Sequence, residues 1–140
     1  MGDYRQLRVW QAAHQLACAT QLATQQLPRG YSEAAEQIRR AALSIPTNLA
    51  EGSSRRRDAD YARYINIAIG SAAEVESLLT FLGDCGALPR EASDLLMADV
   101  LSIRRMLFEL RSAVGGSPAR RPQAAPSDPE PTPEAPRPSS

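Results

Sequence analysis

Six arginines crowd into residues 39–63: Arg39, Arg40, Arg55, Arg56, Arg57 and Arg63. A guanidinium presents paired N–H donors at the spacing of two phosphate oxygens, so clustered arginines are the side chains best suited to a nucleic-acid backbone. Only Glu51, Asp58 and Asp60 oppose them, leaving this stretch at net +3, whereas residues 64–114 carry four arginines against seven acids, net −3. The first 38 residues and the last 26 each cancel, and the whole chain is neutral. One basic region on a neutral chain predicts a local contact surface, short of the balance of a dedicated nucleic-acid binder. The competing role is internal, with Arg39 and Arg40 pairing to Glu36, Glu51, Asp58 or Asp60. All 16 basic residues are arginine, which a GC-rich coding bias explains as readily as selection for anion contacts. No paired aromatics of an RNA-reading module are present, so binding would follow the backbone and not the bases.

Other reactive pairings are weaker. His14 and Cys18 stand four apart and share a helical face, as metal ligands do, but zinc needs three or four ligands and the chain has one histidine and two cysteines. No metal and no cofactor are expected. Asn48 and Glu51 follow Pro46, where the Asn48 side chain could bond a carbonyl freed by the proline. Glu74 and Glu76 are two apart on one helix and diverge. There is no phosphate-cradling glycine loop, and a single histidine makes a nucleophile–base pair hard to build. Tyr61 and Tyr64, even joined to Asn48 and Glu51, supply no reaction. The expectation is a non-enzymatic protein. Cys18 and Cys85, isolated in sequence, read as reduced thiols, and neither a signal-peptide pattern nor an uninterrupted membrane-spanning apolar run is seen. These features point to the cytoplasm and to no membrane partner.

The elements that must position these residues are helices. The periodicity predicts an all-α chain of four, joined by short breaker-rich segments. The first runs from Arg5 to Gln26 on a stripe of Val9, Ala13, Leu16, Thr20 and Ala23, ended by Leu27-Pro28-Arg29-Gly30. The second opens at Ser32 as N-cap and carries Ala34, Ile38, Ala41, Ala42, Ile45 and Leu49. Pro46 inside it predicts a kink, and Gly52 a left-handed C-cap. Asp58 would cap a third helix ending near Leu82, with Tyr61, Tyr64, Ile65, Ala68, Ala72, Val75 and Leu79 as its stripe. Ile67, Leu78 and Phe81 lie roughly 100° from that stripe, a surplus that predicts a subunit interface and a homo-oligomer. The fourth helix runs from Pro89 or Arg90 to Val114. Matched lengths and short joints predict an antiparallel up-down-up-down four-helix bundle over residues 1–114. Residues 115–140, which hold eight of the 11 prolines, read as a disordered proline-rich tail.

Three stretches carry a family likeness: Leu7-Arg8-Val9-Trp10-Gln11-Ala12-Ala13-His14, the proline-bearing run from Gln37 to Gly52, and Ala68 to Glu76. On them the chain resembles the bacterial four-helix-bundle proteins of intervening sequences in large-subunit rRNA genes, over about residues 4–112. Relatives of that group include the accessory variability protein of diversity-generating retroelements. The resemblance implies a bundle that assembles as a ring, commonly a pentamer. For the retroelement relatives it implies a basic surface for RNA or DNA and a reverse transcriptase partner. One position departs from the pattern. After the arginine pair matched by Arg55-Arg56 the family usually has a serine or threonine cap, where this chain has Arg57. The tail lies outside the pattern.

Overall fold

A computed structural model describes residues 3–115. The expected disordered tail, apart from Gly115, lies outside them. Within them, one 3-10 turn (Tyr4–Gln6) precedes four α-helices: α1 (Arg8–Ala23), α2 (Ser32–Ser53), α3 (Asp58–Asp84) and α4 (Arg90–Val114). Each helix packs on its neighbours in sequence, and α4 closes back onto α1. The path is antiparallel. Tyr31 lies against Phe81, Ser44 against Ser71 and Gly52 against Tyr64, so numbers rising along α2 fall along α3. Glu76 with Arg104 and Gly83 with Ser93 show the same reversal between α3 and α4.

The apolar stripes of all four helices meet in one core. Leu16, Ile38, Ile45, Leu49, Ile65, Val75, Leu79, Leu82, Val100, Ile103 and Leu107 are its largest buried apolar side chains. Full burial of each such side chain contributes about 1.5–3 kcal/mol, which makes this core the main favourable term holding the four helices together. Helix α3 has a window of mean hydropathy 1.3, making it the one described helix long and apolar enough to cross a bilayer. An uninterrupted apolar run was not expected, and there is none: Glu74 and Glu76 interrupt α3 while Ile, Leu and Val keep its average high. Its apolar stripe is spent inside the bundle, against α2 and α4.

Several ends differ from the sequence expectation. The first helix does not run from Arg5 to Gln26. Extended backbone at Leu7 separates a 3-10 turn from α1, and α1 stops at Ala23. The ladder cannot continue past this point, because Pro28 has no N–H for the Thr24 carbonyl. Arg39 takes that carbonyl instead, and the Thr24 hydroxyl bonds the Thr20 and Gln21 carbonyls. Ser32 is the first helical residue of α2 and Tyr31 precedes it as the N-cap, without a side-chain bond. Likewise Asp58 begins α3 and does not cap it. Arg57 holds the extended cap position, and Asp58 and Asp60 sit in the first turn, where carboxylates meet the positive helix end. Helix α3 also continues two residues past Leu82.

Gly52 is not a left-handed cap. It is buried inside α2, where a Cβ would stand 2.8 Å from Tyr61 Cδ2 and 2.8 Å from Tyr64 Cβ, so glycine is needed for close approach of α2 to α3. The left-handed cap is Gly86 at φ 71°, where Ala87 N–H bonds the Leu82 carbonyl at 2.9 Å and Gly86 N–H that of Gly83 at 3.0 Å. That pair of bonds satisfies the last carbonyls of α3 and turns the chain into α4.

Candidate nucleic-acid interface

The six sequence-predicted arginines do not form one patch. Arg39 and Arg40 lie near the start of α2, and Arg55 follows its end. From Arg39 to Ser53 the helix rises about 21 Å at 1.5 Å per residue. The two groups therefore occupy different levels of the bundle.

Arg39 is half-buried and turned toward α1. Its Nε donates to Thr24 Oγ1 at 2.7 Å and its Nη2 to the Thr24 carbonyl at 2.9 Å. A cation at the C-terminus of α1 also answers the partial negative charge of that helix end. None of the four acids expected to pair with it does so among the described residues. Arg40 sits on the outer crest of α2. It lines a groove toward α1 and, with Gln37, Ser44, Ser71 and Glu74, a small cleft of about 220 Å³ toward α3.

The other four gather at the α2–α3 joint. Arg55 donates to the Tyr64 hydroxyl at 2.9 Å and lies over the Tyr64 ring at 5.0 Å, with Glu51 at 4.0 Å. Arg63, one residue before Tyr64 on α3, lies 5.4 Å from the same ring centroid. Stacking on an aromatic face orients a guanidinium without neutralising it. Arg56 and Arg57 are exposed and, among the described residues, have no hydrogen-bond or ion-pair partner. The tight Gly52 contact places this joint: it lets α2 end directly on the first turns of α3, where Tyr61 and Tyr64 stand. Burial of the Tyr61 ring there raises its phenol pKa above the usual 10.0.

Folding adds cations that sequence reasoning missed. The antiparallel path carries Arg5 and Arg8, at the start of α1, to the end of the bundle that holds the joint. Arg5 lies over the Tyr4 ring at 5.5 Å, with Asp3 Oδ2 3.9 Å from its Nη1. Only topology could reveal this gathering, since some 50 residues separate the groups.

A family model for the 23S rRNA-intervening sequence protein matches residues 5–109. The chain belongs to that family. The match includes all six predicted arginines and the added Arg5 and Arg8, and it ends before the proline-rich segment. A crystal structure of a Bacteroides thetaiotaomicron protein of unknown function, from the S23 ribosomal protein family, superposes with a TM-score of 0.69 at 24% identity. The superposition covers 74% of this chain and 95% of that one. That likeness supports the four-helix fold. No functionally curated protein matches the sequence.

The remaining predicted positions resolve locally. Helix α2 runs unbroken through the buried Pro46. Asn48 Nδ2 donates to the Ser44 carbonyl at 2.7 Å and to Ser44 Oγ at 2.9 Å, and Ser44 Oγ meets Ser71 Oγ at 2.8 Å. Asn48 therefore bonds the Ser44 carbonyl, not the Ala42 carbonyl that Pro46 deprives of its donor, and the chain of bonds stitches α2 to α3. Ile67 is 46% and Phe81 49% exposed, while Leu78 is partly buried against the core. Phe81 leans on Tyr31 at 6.3 Å between centroids. Exposed Leu22, Leu43, Leu95, Leu101 and Phe108 were not singled out in the sequence. Their positions beside the main stripes are the signal that could have found them. Among the described residues no three His, Cys, Asp or Glu side chains converge as a metal site would require.

Proposed function

We propose that this protein is a non-enzymatic, ring-forming four-helix bundle that binds the phosphate backbone of RNA or DNA through its α2–α3 joint, as an accessory of a nucleoprotein complex. The observation that carries the reading is the state of Arg56 and Arg57, exposed beside Tyr64-stacked Arg55 and Arg63 and, among the described residues, without a side-chain partner. Two unspent guanidiniums bind a phosphate chain weakly. A ring repeats them once per subunit, and linked weak sites gain by effective concentration. Ile67, Leu78 and Phe81 on the α2 side of α3 supply the assembly surface. The resemblance to retroelement accessory proteins makes a reverse transcriptase the partner to seek by co-purification. No membrane role is proposed.

The test is fluorescence anisotropy with labelled single-stranded RNA and duplex DNA at low salt, beside light scattering for assembly. Wild type should bind either polymer with little sequence preference, and the variant R55A/R56A/R57A should bind both much more weakly. A monomer at micromolar concentration would remove the ring.

A second reading, favoured by the Arg39–Thr24 bonds, is a protein-interaction scaffold whose arginines are structural. It predicts intact assembly with no nucleic-acid binding at any salt concentration.

A further inference from the structure

The basic joint leaves unused an open groove of about 720 Å³ between α1 and α2, which holds the chain's only histidine beside one of its two cysteines. Cys18 is exposed, and its Sγ lies 3.9 Å from His14 Nε2, one turn away on α1. The imidazole is held in place. It stacks on the Trp10 ring at 5.0 Å and 12°, and Trp10 is braced edge-on by Tyr4 at 5.1 Å. Stacked rings on successive turns keep Nε2 beside the thiol.

The walls add recognition. Ala17, Leu22 and Leu43 form an apolar lining, with Leu22 67% and Leu43 59% exposed. The charged groups facing it from α2 are Glu36, Arg39 and Arg40. Arg39 is engaged by Thr24, which leaves the Arg40 guanidinium available for an anion. A nucleophilic sulfur, an adjacent base, an apolar lining and a cation fit one class of ligand: a small disulfide whose arms carry carboxylates.

We propose that Cys18 is a thiol-exchange site that forms a mixed disulfide with such a molecule. The Cys18 sulfur attacks one sulfur of the disulfide, and the thiol proton passes to His14 Nε2. The ligand S–S bond breaks, and its second half leaves as a thiolate that takes the proton back from His14. The incoming disulfide is the oxidant, so one S–S bond replaces another and no further reactant is needed. Cys85 is the internal control. It is exposed at the C-cap of α3 and has no imidazole, because the chain has no second histidine.

The experiment incubates the reduced full chain with oxidised glutathione or with uncharged 2-hydroxyethyl disulfide and follows both cysteines by peptide mass spectrometry. Cys18 should be modified at least about tenfold faster than Cys85, a modest share of what a positioned base supplies. The H14F variant keeps an aromatic ring on Trp10 and should bring Cys18 down to the rate of Cys85, with circular dichroism showing that the helical fold is intact. R40Q should abolish any preference for glutathione over the uncharged disulfide. Equal rates at the two cysteines in wild type, or an unchanged Cys18 rate in H14F, would overturn the proposal.

Discussion

Replacing Gly52 by alanine tests how the arginine joint is positioned. Gly→Ala in a helix interior ordinarily stabilises by about 0.8–1 kcal/mol, because alanine has less backbone entropy to lose. At Gly52 the added Cβ would sit 2.8 Å from Tyr61 Cδ2 and 2.8 Å from Tyr64 Cβ. Carbon atoms prefer about 3.5–4.0 Å, so one of the two helices must shift by several tenths of an ångström. The Tyr64 Cβ is fixed to the α3 backbone and cannot swing aside. Overpacking of this kind costs about 1–3 kcal/mol, enough to cancel or reverse the helix-propensity gain. Gly70, on the exposed side of α3, meets nothing within 4 Å and supplies the reference. Thermal unfolding of both variants should therefore diverge, G70A melting above wild type and G52A below it, at about 4–8 °C per kcal/mol in a domain near this size. G52A should also weaken nucleic-acid binding, since Tyr64 carries Arg55 and Arg63. Equal stabilisation by both substitutions would refute the close-packing account of Gly52.

Three further outcomes follow from the same geometry. R39A should lower stability by about 1.5–3 kcal/mol in urea unfolding, the range for charge-assisted hydrogen bonds, while R56A and R57A should each stay within about 0.5 kcal/mol. Equal effects at the three positions would contradict the division between structural and free arginines. The Thr20 hydroxyl is buried without a partner among the described residues, so T20V, nearly isosteric, should raise stability by about 1 kcal/mol by removing an unsatisfied polar group. A loss of that size would place an unseen partner on Thr20. Burial raises the Tyr61 phenol pKa in the folded state, so its contribution is fully present below the unfolded value of 10.0 and is lost as pH rises through the folded value. Alkaline absorbance titration should show one late phenol that disappears in Y61F.

The fold was legible because apolar spacing at three and four residues survives in every helix, and most of those side chains form the core. Ala34, Tyr61 and Tyr64 are only partly buried, however, and the unpredicted Ala35, Ala87 and Leu88 are buried. Helix ends were less legible. Pro28 announces locally that α1 must end, since it cannot donate to the Thr24 carbonyl, but the donor that replaces it, Arg39, lies 15 residues from Thr24 and no local pattern names it. Gly52 carries the sequence signature of a cap, but the tyrosines facing it across α3 decide its role. The arginines were visible as residue types and not as an arrangement. Helical rise separates Arg39 and Arg40 from the joint, and chain reversal brings Arg5 and Arg8 toward it. Exposure of Leu101 and Phe108 likewise depends on where α3 and α4 leave their flanks uncovered.

The salt dependence of duplex DNA binding tests the central claim most directly. Each phosphate neutralised contributes about −0.9 to the log–log slope of affinity against salt. Wild type should give a steep negative slope that flattens by about one unit for each engaged arginine replaced at positions 55, 56 and 57, with R39A leaving the slope unchanged in folded protein. A slope unaffected by those replacements, or no binding at the lowest salt, would contradict the assignment of the joint to nucleic acid.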